Sequence, residues 1–491
     1  MNTAVPAGYG HTDSALEGEP PLVIDLDGTL LRTDLLHESA LSLLGNEPWL
    51  AWRLPLWLLE GKAQLKRQIA NRVELDIATL PYRAELLEWI RAEHARGRRI
   101  VLCSASDAKF AEKVADHLGL FHEVIASDGV TNLSSHRKAD ALVQRFGVRG
   151  FDYAGNSHDD VPVWRQARRA VPVTASAALR RAAAHSATVE REFVPAPASV
   201  LTWLRALRVH QWVKNLLVFL TLLASHRFLE LPLLVPTVIA FFAFGLCASS
   251  VYVLNDLVDI KNDRVHPRKR NRPFAAGSLS PVAGIVVSIG CLVGAFALGL
   301  AASAAFAAWL GVYLVVALLY TFLLKRKILV DALALSALYT LRVVAGGAAA
   351  GLWPGFWLLA LSLFLFLSLA FVKRYSELEV ILRRGRHAAN GRDYLISDLP
   401  LIETLGIVSG FAAVIVMALY INGESIERLY PHQAIVWLTV PILLYWISRM
   451  WVKAHRGEMH DDPVVFAMTD GLSQLTIAAF LCVMLVAGLR W

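Results

Sequence analysis

The sequence predicts two joined folds: an α/β domain built on a parallel sheet, then an all-α domain of about nine transmembrane helices. Three observations predict this. The 491-residue chain is 56% apolar and only 18% charged, against about 25% charged and 45–50% apolar in soluble domains. Charge is unevenly spread: residues 1–199 carry 23 basic and 25 acidic residues, net −2, whereas residues 200–491 carry 25 and 16, net +9. Periodicity changes at the same place, from short runs of strand length to apolar stretches of ~20 residues, each able to cross about 30 Å of hydrocarbon. These figures exclude a disordered chain and a wholly soluble enzyme, and no nucleic-acid partner is expected.

Residues 1–20 are rich in Gly, Pro and acids and read as a tail. They lack the basic start and apolar core of a secretory signal, which predicts a cytoplasmic N-terminal domain. In that domain, 21–194, the segments LVIDLDG, RRIVLCSAS, HEVIASDG and GFDYAGNS read as strands ending in turns, separated by amphipathic helices. This pattern gives a parallel sheet with helices on both faces, binding ligands beyond the carboxyl ends of its strands. Segment 35–80 interrupts the alternation with helix-like sequence, including WLAWRLPLWLLEG. It is too short and too charged to span a bilayer, and reads as a cap or an interfacial helix.

A linker, 195–208, follows. The membrane domain, 209–491, has apolar segments near 213–230, 232–254, 281–303, 305–324, 328–350, 354–372, 401–421, 433–451 and 470–489. With the N-terminus in the cytoplasm, loops 257–280, 325–327, 373–399 and 449–456 fall on the same side and carry 18 Lys and Arg. The opposite loops carry chiefly Arg227 and Arg428. Excess positive charge on the cytoplasmic side agrees with the missing signal and places the C-terminus outside. The cysteines (Cys103, Cys247, Cys291, Cys482) have neither zinc-type nor disulfide-framework spacing, which fits a reducing compartment.

The first constellation is Asp25-Leu26-Asp27-Gly28-Thr29, directly after the strand LVI. Residues two apart at a strand end point the same way, so both carboxylates can face one pocket. One can attack a phosphoryl group while the other protonates the leaving oxygen. Ser104 ends the second strand and offers a hydroxyl, Lys138 opens a later helix, and YAGNSHDD places Asn156 and Asp160 after another strand. An acidic turn without chemistry is the plain alternative. The order of these residues resembles the haloacid dehalogenase-like phosphohydrolase family over about residues 21–190. The resemblance implies Asp25 as nucleophile, Asp27 as acid/base, Ser104 and Lys138 as phosphate binders, and Mg²⁺ held by Asp25, Asp160 and the Asp27 backbone carbonyl. The family usually has Asp where this chain has Asn156, which leaves activity of the domain less secure than its fold.

The second constellation, NDLVDIKNDRVHPRKRNRP (255–273), lies at the expected cytoplasmic end of a membrane helix. In a continuing helix Asn255, Asp259 and Asp263 share one face, with Asp256 beside it. Acids so placed repel one another unless a cation bridges them, and Mg²⁺ with a diphosphate is the economical solution. Arg264, Lys269 and Arg272 can then meet phosphate oxygens. Other polar groups fall where a cleft needs them: Lys214, Tyr320, Lys325, Arg342, Lys373, Arg374, Glu377 and Arg392. Asp331 and Arg342 lie inside one span and should face the bundle interior, where either an ion pair between them or substrate contact would satisfy Arg342. The late DDPVVFAMTD (461–470) reads as a capping loop or as part of the site rim.

HQWVKNLLVF, NDLVDIKNDRVHPRKRNRPFAAG, YTFLLK and KRYSELE resemble the UbiA superfamily of intramembrane prenyltransferases across about residues 200–491, and within it the decaprenyl-phosphate phosphoribosyltransferase branch. KRYSELE stands where aromatic prenyltransferases have a second aspartate-rich motif. The resemblance implies Asp256, Asp259 and Asp263 around Mg²⁺, with Lys269 and Arg272 near the phosphates of phosphoribosyl diphosphate (PRPP). It implies transfer of phosphoribose from PRPP to a polyprenyl phosphate in a bacterial inner membrane. Two other functions stay open: prenylation of an aromatic or other small acceptor, and a membrane-anchored lipid-phosphate phosphatase. Lipid chain length and oligomeric state are left open.

Overall fold

The computed structural model describes residues 19–383, 393–423, 426, 429–459 and 462–488. The tail 1–18, Arg392, Arg428 and Asp461 lie outside the described residues. The chain forms two compact units, Met1–Ser199 with Leu257–Val282, and Val200–Asp256 with Ala283–Trp491.

In the first unit six parallel strands, β1 (Leu22–Ile24), β2 (Ile100–Asp107), β3 (Glu123–Ser127), β4 (Asp152–Gly155), β5 (Arg169–Pro172) and β6 (Thr188–Val189), form one sheet in the order β3-β2-β1-β4-β5-β6. β1 is fully buried because it is central: Ile24 pairs Leu102 on one side and Ala154 on the other. A strand covered on both faces reads as a continuous apolar run. Apolar clusters lie against the sheet, one around Ile24, Leu102 and Phe110, the other around Val23, Tyr153 and Trp164. Segment 35–80 folds as helices Leu35–Asn46, Arg53–Leu59 and Lys62–Ala70, with Trp57 and Ile69 buried between them.

Residues 257–282 pack as part of this unit. Arg264 donates to both carboxylate oxygens of Glu38, at 2.7 and 3.1 Å, and to the Ala275 carbonyl at 3.0 Å. Thr33 donates to the same carboxylate at 2.8 Å. Both charged side chains are about 5% exposed. Arg264, expected at substrate phosphates, is thus engaged by Glu38. Removing one member of such a pair strands the other, at about 3–5 kcal/mol, whereas replacing both with apolar residues costs little. Arg264→Ala should therefore lower the unfolding temperature of this unit sharply in calorimetry of the full chain, and Glu38→Leu/Arg264→Met should recover most of the loss. Equal destabilisation by single and double variants would refute this reading.

The second unit is helical. Among the described residues eight helices are long and apolar enough to cross a membrane: Leu231–Val258, Pro281–Ala302, Ala304–Phe322, Val330–Ala349, Phe356–Leu382, Ile396–Ile421, Gln433–His455 and Gly471–Gly488. The chain is a polytopic membrane protein. The sequence predicts about nine spans; the difference is the first, 213–230. There the chain forms a 3₁₀ run, Val209–Phe219, and a short helix, Leu220–Ala224. The physical reason is polar anchoring. Lys214 and Asn215 are buried and bond to Asp462 and Arg342, which holds the segment to partners inside the unit.

Candidate active sites

At the carboxyl end of β1 the chain turns sharply: Asp27 is extended (φ −77°, ψ 117°) and Gly28 has φ +75°. A Cβ on Gly28 would lie 2.1 Å from the Asn156 amide, so only glycine fits. Arg83 holds the turn by donating to the Gly28 and Thr29 carbonyls at 3.0 and 3.1 Å. Around the turn Asp25, Lys138, Asn156 and Asp160 share one hydrogen-bonded network through Thr29 and Tyr153, and Asp27 and Ser104 form a second. Lys138 Nζ lies 2.6 Å from Asp25 Oδ1, 3.0 Å from Tyr153 Oη and 3.8 Å from Asp160 Oδ1. Burial pushes the Asp25 carboxyl up to about 7, with Asp160 and Asp27 adding to the rise and Lys138 opposing it. Burial works against the Lys138 charge, but Asp25 and Asp160 outweigh it and hold the ammonium protonated.

Asp27 is oriented by three donors: Leu35 N–H at 2.8 Å on one oxygen, Ser106 Oγ at 2.6 Å and Ser104 Oγ at 3.2 Å on the other. Burial, and then Asp34, raise its carboxyl above the ordinary value, as a general acid at neutral pH requires. Ser104 thus reaches Asp27 directly. Asp160 holds the turn after β4: its Oδ2 accepts from Asn156 N–H, Ser157 N–H and Ser157 Oγ at 2.9–3.1 Å, and its Oδ1 from Tyr153. The resemblance makes Asp160 a metal ligand; here its two oxygens accept these four hydrogen bonds. Thr29 Oγ1 lies 2.8 Å from Asp25 Oδ2 and 3.2 Å from Asn156 Oδ1, and carboxylate and amide oxygens are of the type a hard cation takes. The sequence reading missed Ser106, Tyr153, Thr29 and Arg83. Ser106 and Tyr153 share the strand-end segments already singled out, and that position is the signal that could have found them.

In the aspartate-rich segment the helix Leu231–Val258 stops before Asp259 (φ −92°, ψ 7°) and a short helix, Ile260–Val265, follows. The continuous helix expected through Asp263 is therefore broken at Asp259. Asp256, in the second unit, is buried and paired with Arg208. Asp263, in the first, is paired with Arg272 at 2.7 Å. Among the described residues no group of three or more His, Cys, Asp or Glu side chains is arranged around a metal position, and Asp256 and Asp263 are each held by an arginine. Their oxygens still match Mg²⁺ in type. Lys269 is exposed.

The interior of the second unit holds two polar networks. Arg374 meets Asp331 at 2.5 Å, Tyr320 Oη at 3.1 Å, and Glu377; Tyr394 Oη donates to Asp331 at 2.5 Å. The pair considered for Asp331 and Arg342 does not form. Arg342 instead donates to Asn215 at 3.2 Å, Tyr313 at 3.0 Å and the Leu338 carbonyl at 2.7 Å. Its direction is set by helix register: Asp331 and Arg342 are 11 residues, about three turns, apart on one helix, too far to touch. Lys214 and Lys373 converge on Asp462, at 2.7 and 3.4 Å. Lys325 lies 3.3 Å from Asn255. Tyr313 and Tyr339 belong to these networks and Arg208 to the Asp256 pair, and none of the three carries a local signal that would reveal it in the sequence.

The model of the UbiA prenyltransferase family matches residues 216–388, and that of haloacid dehalogenase-like hydrolases matches residues 22–165. "Uncharacterized protein y4nM" of Sinorhizobium fredii is 36% identical over 456 residues, covering 92% of this chain and 88% of the relative. "Nodulation protein NoeC" of Azorhizobium caulinodans is 36% identical over 281 residues, 56% of this chain and 90% of the relative. A decaprenyl-phosphate phosphoribosyltransferase of Mycobacterium tuberculosis is 31% identical over 287 residues, 56% of this chain and 91% of its own. A solved UbiA homolog from Archaeoglobus fulgidus, bound to GPP and Mg²⁺, aligns with TM-score 0.45 at 15% identity, over 58% of this chain and 99% of its own. With two relatives above 30% identity covered over nine-tenths of their length, the chain belongs to the UbiA prenyltransferase family, and it carries a haloacid dehalogenase-like domain ahead of the membrane domain.

Proposed function

We propose that the membrane domain transfers 5-phosphoribose from PRPP to a polyprenyl phosphate, and that the N-terminal domain then removes the 5-phosphate of the lipid-linked product. The observation that carries this reading is the charge of the second of the two polar networks. There, among the described residues, Lys214, Lys373 and Arg342 are accompanied by one carboxylate, Asp462. Buried excess positive charge is costly without an anion to meet it, and both substrates bring phosphate. The relatives named decaprenyl-phosphate phosphoribosyltransferase support the same choice.

In the reaction a phosphate oxygen of the lipid attacks C1 of the ribose. The bond from C1 to the diphosphate oxygen breaks, and pyrophosphate leaves with both electrons. The nucleophile is already an anion and needs no strong base. Asp256, Asp259 and Asp263 would hold Mg²⁺ in the transferase, and Asp25, Asp160 and the Asp27 carbonyl in the phosphatase. When bound, Mg²⁺ supplies neutralisation of phosphate charge. Lys269 and Arg272 would contact PRPP. In the N-terminal domain Asp25 takes the phosphoryl group as an aspartyl-phosphate while Asp27 protonates the ribose oxygen. Lys138 balances the charge at Asp25, and water then releases phosphate. The reading places the chain in a bacterial inner membrane with the N-terminal domain in the cytoplasm.

Incubating the full chain with labelled PRPP and a polyprenyl phosphate, followed by mass spectrometry of the lipid, tests the proposal. Label in the lipid with release of pyrophosphate supports it. Prenylation of an aromatic acceptor, or phosphate release from lipid phosphate without PRPP, replaces it with the other two functions. Arg272→Ala should raise the KM for PRPP about tenfold with a smaller change in kcat, since a phosphate contact made before and during reaction contributes mainly to binding. A change in the lipid KM alone would assign Arg272 to the acceptor.

A further inference from the structure

Asp462 takes no part in the reaction just described, yet it sits at the centre of the second polar network. It caps the helix Pro463–Thr469, accepting from Val464 N–H at 3.1 Å. That backbone bond anchors the carboxylate from one side, and Tyr339 Oη donates to both of its oxygens at 3.2 and 3.3 Å. On Oδ2 two ammonium groups meet, Lys214 at 2.7 Å and Lys373 at 3.4 Å. Lys214 and Asp462 are each about nine-tenths buried, and Lys373 is 28% exposed. Burial opposes ionisation of Asp462, but the two lysines more than compensate and keep its carboxyl far below the ordinary range.

Each ammonium has three N–H donors. Among the described residues each has one hydrogen-bond or ion-pair partner, Asp462, so two donors on each remain for something else. Arg342 lies in the same interior, with no carboxylate partner among the described residues. Both Lys214 and Arg342 stand over the Tyr339 ring, at 5.7 and 5.4 Å. Asn215, which accepts from Arg342, has a buried Nδ2 with no partner among the described residues. Several donors, a net positive charge and one rigid carboxylate therefore share this interior. Two bare ammonium groups this close repel each other, and a fixed carboxylate between them removes most of that repulsion.

We propose that Asp462 is a positioning residue: it holds Lys214 and Lys373 together so that their unused N–H groups form a seat for a substrate phosphate. This rests on the function proposed above and adds to it the residue that builds the seat. The carboxylate also sets the capacity of the seat. With Asp462 ionised, the three cations keep a net charge of two, which matches a phosphate monoester dianion; without it the lysines lose their common anchor. The phosphate could belong to the lipid or to PRPP, and the chemistry of recognition is the same.

The test is direct binding to the full chain in lipid nanodiscs, with farnesyl phosphate, farnesol and PRPP as probes. It does not depend on transfer, so a failed transfer assay leaves it readable. Asp462→Asn keeps the shape of the side chain and removes its charge. It should weaken farnesyl phosphate about tenfold or more, Asp462→Glu should restore binding to within about threefold, and farnesol should bind unchanged. Loss confined to PRPP would give the seat to the donor's phosphate and keep the proposal. If Asp462→Asn fails to fold, Asp462→Glu alone must weaken one of the two phosphates by a smaller factor without affecting farnesol. Wild-type binding of neither phosphate, unchanged binding in the variants, or equal loss of farnesol would overturn the proposal.

Discussion

Asp25→Asn should abolish phosphate release, by about 10³-fold or more, while synthesis of the phosphorylated lipid continues at its normal rate. The amide cannot form the acyl-phosphate, and no neighbouring group replaces it, because Asp27 is committed to Leu35, Ser104 and Ser106. The variant should fold. Asn keeps an oxygen for Thr29, and Lys138 retains Tyr153 and Asp160. A second signature follows from the raised Asp25 carboxyl. Its folded value of about 7 exceeds the unfolded value near 4, so the native state binds the proton more tightly than the unfolded one. Without divalent cation, this group's stability contribution is fully present below about pH 4 and is lost as pH rises to about 7. Asp25→Asn should remove that slope. Identical lipid products from wild type and variant, with no inorganic phosphate, would show that the two domains do not act in sequence.

Asp256→Ala should abolish transfer, again by about 10³-fold or more at ordinary Mg²⁺, with little loss of stability. Asp256 is buried, but its partner Arg208 is 19% exposed and can turn to solvent when left alone. Asp331→Ala is the instructive contrast. Its partner Arg374 is 1% exposed, so losing the carboxylate strands a buried cation at about 3–5 kcal/mol. One variant should insert, fold and fail to react; the other should fail to fold. Thermal unfolding of both proteins in nanodiscs, beside the transfer assay, separates the two effects. Near-normal turnover by Asp256→Ala would remove it from the metal site.

What could be read from the residues alone was whatever local periodicity encodes. β1 and its two carboxylates were legible because strand alternation and the Gly28 turn are properties of seven consecutive residues. The long apolar helices were legible for the same reason. β6 is two residues long, too short for periodicity to register, and β5 contains Pro172, which demotes a strand reading. The 3₁₀ run Val209–Phe219 looked like a span because its composition is apolar; what shortens it is polar contact with Asp462 and Arg342, far along the chain. The same limit hid the partners of Asp331, Asp256 and Lys373. Charge at a position shows in sequence, but the choice of partner depends on which helix faces which. The break at Asp259 is hidden differently, since no proline or glycine marks it.

The discontinuity of the first unit has a consequence for how the protein is made. Arg264 must reach Glu38 to complete that unit, and residues 257–282 leave the ribosome well after residue 199. At about 5–20 residues per second, the 83 residues between positions 199 and 282 take about 4–17 s to synthesise. During that interval the helix Leu231–Val258 must enter the bilayer while the N-terminal domain waits, its Glu38 carboxylate without an arginine. Chaperones and proteases therefore meet this domain in an unfinished form at every round of translation, and codon choice between positions 200 and 282 becomes a means of controlling yield.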